Sequence, residues 1–142
     1  GVHVLTLYLP RCNAKGATVT VIRCTKGFVF GGYSSVSWSS DGMRHKSPGA
    51  FIFSLDRPGS LEPVKMRLKK KNDENAIESY WQVGPVFGHD IHLNQWFGKD
   101  FTCSAKRITT FQVPADEPGL MLTDDRFFVD EIETFRLTVV EQ

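Results

Sequence analysis

The sequence has little cysteine: three residues in 142, at Cys12, Cys24 and Cys103. An odd, sparse set excludes the disulfide framework of a small secreted domain, and no C-x-x-C pair or Cys/His spacing suggests a structural zinc site. There is no excess of charge of either sign. Lys and Arg number 17 against 16 Asp and Glu, a net charge of +1, which removes any global pull toward nucleic acid or an anionic membrane. Glycine and proline, 12 and 7, stand near average usage, so collagen and low-complexity linkers are excluded. No long apolar run exists. Near the start, residues 4–9 are interrupted by Thr6 and stopped by Pro10, too short for a membrane span, and no Lys or Arg precedes them as a signal peptide requires. Missing as well is any helical stripe over 12 or more residues. These absences point to a cytoplasmic or otherwise intracellular domain in a reducing compartment, with no membrane insertion and no nucleic-acid partner.

What the chain does have is phenylalanine, 11 copies beside three Trp and three Tyr, together with an apolar share of 41%. Aromatics pack well on pleated surfaces, and the hydrophobic period is two. Residues 17–23 (ATVTVIR) alternate and are β-branched. Phe28, Phe30, Val36 and Trp38 share one parity through Gly31-Gly32, which predicts one long strand with a bend, or two strands sharing a corner. Residues 39–49 have loop composition, and 50–55 (AFIFSL) form a short apolar strand. Val64, Met66 and Leu68 alternate with Lys65, Arg67 and Lys69, a strand with a basic outer face. Residues 72–75 are predicted to close a hairpin whose second arm, 76–83, ends at Gly84-Pro85. Residues 90–93 and 111–113 read as short strands, 94–107 as ambiguous, 117–125 as an acidic loop and 127–140 as the last strand. Seven or eight short strands between Gly, Pro and Asx turns predict a mainly β fold, a two-layer antiparallel β-sandwich in one domain over residues 1–142.

Four blocks, in order, resemble the TLDc domain of the oxidation resistance protein family. They are residues 16–22 with 27–40, residues 50–55, residues 84–91 (GPVFGHDI) and residues 128–135 (FVDEIETF), and they cover most of the chain. The resemblance implies a sandwich of two antiparallel sheets flanked by short helices. It implies a role in resistance to oxidative damage, and binding to the vacuolar proton-pumping ATPase at its peripheral sector. It implies no catalytic residues and no cofactor. Its motif positions here are Gly31, Gly32, Tyr33, Trp38, Gly84, Pro85, Gly88, Asp90, Glu131 and Glu133. Family domains begin with a strand and helix ahead of the residue 16–22 strand, and residues 1–15 here lack or diverge from those elements.

Gly31-Gly32 reads as a bulge or a close approach of another segment rather than a phosphate loop, because residues 34–38 look extended and not helical. Glu131 and Glu133 share strand parity with Val129, Phe135 and Leu137, so at least one is predicted to be buried and hydrogen-bonded. Paired carboxylates also suit acid/base chemistry or a metal. Asp90 and His92 would point the same way on a strand, with His89 opposite, two ligands where a metal needs more. Cys24 lies near Arg23 and Lys26, and Cys103 near Lys106 and Arg107, so either thiolate could be stabilised by charge; burial is the plainer expectation. The run Lys65, Arg67, Lys69, Lys70 and Lys71 reads as a solvated strand that discourages edge pairing, or as a dock for an acidic partner. The acidic residues Glu117, Asp124, Asp125 and Asp130 form the opposite pole.

No nucleophile, base and stabiliser stand at recognisable spacing. The expected function is therefore non-catalytic protein binding in protection against oxidative stress. The alternative is an antioxidant enzyme using Glu131, Glu133 or a cysteine. Trp38 and Phe53 are both expected to pack between the sheets.

Overall fold

A computed structural model describes residues 2–7, 16–24, 26–39, 41–60, 62–79, 83–96, 100–104, 108–120, 122–123 and 129–139. Among these the strands are β1 (Val2–Leu7), β2 (Thr18–Cys24), β3 (Val29–Ser34), β4 (Arg44–His45), β5 (Phe51–Asp56), β6 (Val64–Arg67), β7 (Ile77–Glu78), β8 (Val83–Phe87), β9 (Ile91–Trp96), β10 (Asp100–Ser104) and β11 (Val129–Val139). They form a six-stranded sheet in the order β1-β11-β2-β3-β5-β6 and a five-stranded sheet in the order β10-β9-β8-β7-β4. Every pairing is antiparallel. The fold is mainly β, two packed antiparallel sheets. No helix stands among the described residues, and residues 8–15 lie outside them.

Strand β2 shows why the sheets close on one another. Thr18, Thr20, Ile22 and Cys24 are buried, whereas Val19 and Val21 are half-buried and Arg23 is exposed. The core joins Ile22, Phe30, Ile52 and Met66 of the large sheet to Ile77, Phe87 and Ile91 of the small one, with Trp38, Phe111 and Leu122 from the connections. Each fully buried side chain of this size contributes about 1.5–3 kcal/mol.

Several expectations change. Residues 72–75 do not close a hairpin onto β6. They carry the chain across to the other sheet, where β7 pairs with β4 and β8. The Asp73 carboxylate accepts from the Asn75 amide at 2.9 Å, an Asx turn that supplies the change of direction. Gly84-Pro85 bends β8 instead of ending it, because the ladder to β9 shifts between Val83 and Val86 and a bulge tolerates proline. The loop 39–49 holds β4, and the ambiguous 94–107 contributes to β9 and β10. Those short polar strands gain order from neighbours rather than from their own pattern.

Phe53 is buried but does not lie between the sheets. Ile52 faces inward opposite Gly32 and Met66, which puts Phe53 on the outer face opposite Gly31 and Lys65. In the nearly continuous apolar run of 50–55, periodicity cannot fix which parity faces in. The expected inward face of Glu131 and Glu133 is likewise reversed. Val129 pairs with Cys24 and packs on the core, but the next pair is Glu131 with Arg23, so Asp130 is an extra residue in a bulge. One extra residue flips every following side chain. Ile132 then pairs with Ile22, and Thr134 is the buried member, 3.2 Å from Thr20 between hydroxyl oxygens. Glu131 is exposed and Glu133 half-buried.

Candidate functional site

Gly32 and Trp38 meet the opposite sheet at Phe87, while Gly31, Tyr33, Glu131 and Glu133 face outward, and the glycines explain the meeting. A Cβ on Gly32 would lie 2.6 Å from the Phe87 ring, and one on Gly31 would run into the Thr20 carbonyl oxygen and stand 2.8 Å from Phe53. The two neighbours thus leave one slot on each face of the sheet, filled inside by Phe87 and outside by Phe53. This is close approach rather than a phosphate loop, since β3 continues through both glycines. Trp38 packs edge-on against the same Phe87 ring, centroids 5.5 Å apart at 86°, and its indole N–H donates to Thr18 Oγ1 at 2.9 Å. Tyr33, on the outer face, stacks on Phe51 at 5.1 Å.

The block at 84–91 turns on Gly88, whose φ of +56° suits the tight β8–β9 turn and whose missing Cβ makes room for Thr110, 2.6 Å away. Asp90 sits in this turn, fully buried, and not on a strand beside His92 as expected. Its carboxylate accepts from the Thr109 amide (2.7 Å) and hydroxyl (2.9 Å), the Thr110 amide (3.0 Å) and the Phe111 amide (2.8 Å). With its oxygens so engaged, Asp90 ties residues 109–111 to the turn and is not disposed as a metal ligand. His92 is on β9, paired with Val86, and burial lowers its pKa from 6.5. No three His, Cys, Asp or Glu side chains come together around a metal position among the described residues.

On the outer face, Glu133 is held above its ordinary carboxylate range, first by a hydrogen bond shared with Glu131, then by loss of hydration and by Glu131's charge, against an opposing pull from Arg23. Arg23 lies 4.0 Å from Glu131. This pair is accessible and has Arg23 beside it, but no nucleophile adjoins it in the described contacts. Cys24 is only 3% exposed, within the core cluster, which keeps its thiol away from solvent oxidants. Cys103 pairs with Leu93 in the backbone ladder of β10 and β9, and Cys12 lies outside the described residues.

Three charged pairs carry no signature in the sequence. His45 Nε2 lies 2.8 Å from Asp41 Oδ2 and 3.3 Å from Ser39 Oγ. A catalytic relay divides nucleophile and carboxylate between the two ring nitrogens; here both crowd one nitrogen, so no relay exists. The His45 hydrogen bond, with the Met43 amide, lowers Asp41 to about 2. Arg44 Nε lies 3.7 Å from the buried Glu78, and its Nη1 donates to Asn75 Oδ1 at 3.1 Å. Arg57 Nη1 is 3.5 Å from Glu117, inside an open cleft of about 440 Å³ lined also by Phe28, Ser60 and Asp116. These partners are distant in sequence or sit in loops, and no spacing pattern marks them.

Two packed antiparallel sheets, with motif residues making slots, turns and anchors, define a β-sandwich domain. The TLDc domain model matches residues 1–138, and the chain belongs to that family. It is also 38% identical over 50 residues to the mTOR-associated protein MEAK7 of Danio rerio, a match covering 35% of this chain and 11% of that protein. No helix among the described residues is long and apolar enough to cross a membrane.

Proposed function

We propose that residues 1–142 form one non-catalytic protein-interaction domain that acts in protection against oxidative stress by binding the peripheral sector of the vacuolar proton-pumping ATPase inside the cell. The observation that carries the non-catalytic part is the Asp90 carboxylate: this acidic residue of the 84–91 block is buried and occupied by the 109–111 backbone. A protein-binding role is further supported by a relative whose own name describes an mTOR association. The test is capture of purified ATPase peripheral-sector subunits on the immobilised chain. Retention that survives washing at moderate salt is the expected result, and none above a blank resin would overturn the ATPase assignment.

The second reading, an antioxidant enzyme, draws support from the raised pKa of Glu133. Peroxide consumption by the purified chain separates the two. No turnover is expected. Turnover abolished by Glu133→Gln or Cys103→Ser would replace the binding-domain reading.

A further inference from the structure

Three cations line one groove, and among the described residues no acid stands beside them. A groove of about 400 Å³ is lined by Lys65, Arg67, Lys71, Leu68, Gly49 and Ala50, with no carboxylate in its wall. Three other arginines each have an acid beside them: Arg23 with Glu131, Arg44 with Glu78 and Arg57 with Glu117. Among the described residues, none of Lys65, Arg67 and Lys71 is in an ion pair. Like charges brought together without a counter-charge are unfavourable, and an anion in the groove would relieve them.

Guarding a sheet edge, the plainest use of basic residues on β6, does not account for this groove. The edge is already covered at Arg67–Lys69. The Gln112 amide donates to the Arg67 carbonyl at 2.7 Å, the Lys69 amide donates to the Thr110 carbonyl at 3.1 Å, and Leu68 bridges to Phe111 between them. A covered edge needs no charged deterrent. Nor is Lys65 a freely waving surface lysine. Its Nζ stands 4.1 Å from the centroid of the Phe51 ring, which is itself stacked on Tyr33. A cation held against an aromatic face is placed before any ligand arrives.

We propose that this groove binds a compact polyanion carrying two or more phosphate groups, the chemistry of a multiply phosphorylated inositol, whether free or as a lipid headgroup. Its volume lies in the range of small-ligand sites, roughly 300–1,000 Å³. Arg67 offers a planar fork suited to two oxygens of one phosphate, and the two lysines act as point charges for others. A single phosphate leaves part of this charge unmatched, so charge matching favours the multiply charged ligand. This site is separate from the partner reading above and does not depend on it.

The test is titration calorimetry with inositol hexakisphosphate, with unphosphorylated inositol and inorganic phosphate as comparators. Two variants remove the same charge: Lys65→Gln with Lys71→Gln inside the groove, and Lys69→Gln with Lys70→Gln on the same run outside it. Equal melting temperatures establish that both fold. One-to-one binding of the hexakisphosphate is expected, weakened about tenfold or more by the groove pair and less than about twofold by the outside pair. Equal weakening by both pairs, or no binding, overturns the proposal, as does equal affinity for inorganic phosphate. Co-sedimentation then assigns the source. Binding to vesicles containing phosphatidylinositol bisphosphate, above phosphatidylserine vesicles of matched charge, assigns the lipid headgroup; binding to the soluble ligand alone assigns the free one. Tighter binding of an acidic peptide or an oligonucleotide, lost in the groove pair, would replace the small polyanion with a macromolecule.

Discussion

The Phe87 ring occupies the volume that a side chain at Gly32 would need, 2.6 Å from where its Cβ would stand. The two residues belong to different sheets, so this contact sets how closely the layers approach. Gly32→Ala is expected to force them apart and to cost about 1–3 kcal/mol, the usual range for an overpacked core. Chemical denaturation measures it. Combining Gly32→Ala with Phe87→Leu should cost less than the two single changes added together, since the shortened side chain relieves the clash. Strict additivity would mean the contact does not limit the sheet separation.

Asp90 holds three consecutive backbone amides. Asp90→Ala would strand those donors in the interior, each costing about 1–3 kcal/mol. The variant is expected to be among the least stable single substitutions, with hydrogen exchange quickened at residues 109–111. Asp90→Asn retains one acceptor oxygen and should fall between alanine and the native residue. If Asp90→Asn instead keeps full stability, the anchor role is wrong.

The Glu131–Glu133 pair carries a pH signature. Glu133 binds its proton more tightly in the folded chain than at its ordinary value of 4.5. The folded state therefore holds more protons just above that pH, and stability falls as pH rises through the window from 4.5 up to the raised folded value. Glu133→Gln removes the repulsion. It should leave stability unchanged or higher at neutral pH and give no gain below 4.5. A loss at neutral pH would show a favourable role for the charge.

His92 works in the opposite direction. Burial lowers its folded pKa below 6.5, so the unfolded chain binds the proton more readily, and stability falls as pH drops below 6.5. His92→Gln should flatten the stability profile between that pH and the lowered folded value. An unchanged slope would assign the acid sensitivity to other groups.

Trp38 joins three parts of the core: the Phe87 ring, the Thr18 hydroxyl and the connection after β3. Trp38→Ala should cost about 3–5 kcal/mol. Trp38→Phe should cost less by retaining the ring contact, although it leaves Thr18 Oγ1 without its indole donor. A Trp38→Ala protein melting within a degree of the native chain would contradict the core placement.

Much of this protein was determined by its sequence alone. Period-two alternation at 17–23 and 64–68, and the absence of helical stripes, established two antiparallel sheets, because a pleated strand with one buried face must repeat every second residue. The order of the blocks around Gly31-Gly32, Gly84-Pro85 and Glu131 identified the family. The basic outer face of β6 was also legible. Parity was less secure. Asp130 enters a bulge that only the pairing with β2 reveals, and it turned Glu131 and Glu133 outward. The run at 50–55 is apolar on both faces, so its partners in register decided that Ile52 faces in and Phe53 out. Tertiary structure alone decided which distant groups meet: Phe87 in the Gly32 slot, the 109–111 amides on Asp90, Arg44 beside Glu78, and three cations around one groove. Local propensity and spacing act over a few residues, whereas these contacts join positions tens of residues apart and exist only once burial has brought the sheets face to face.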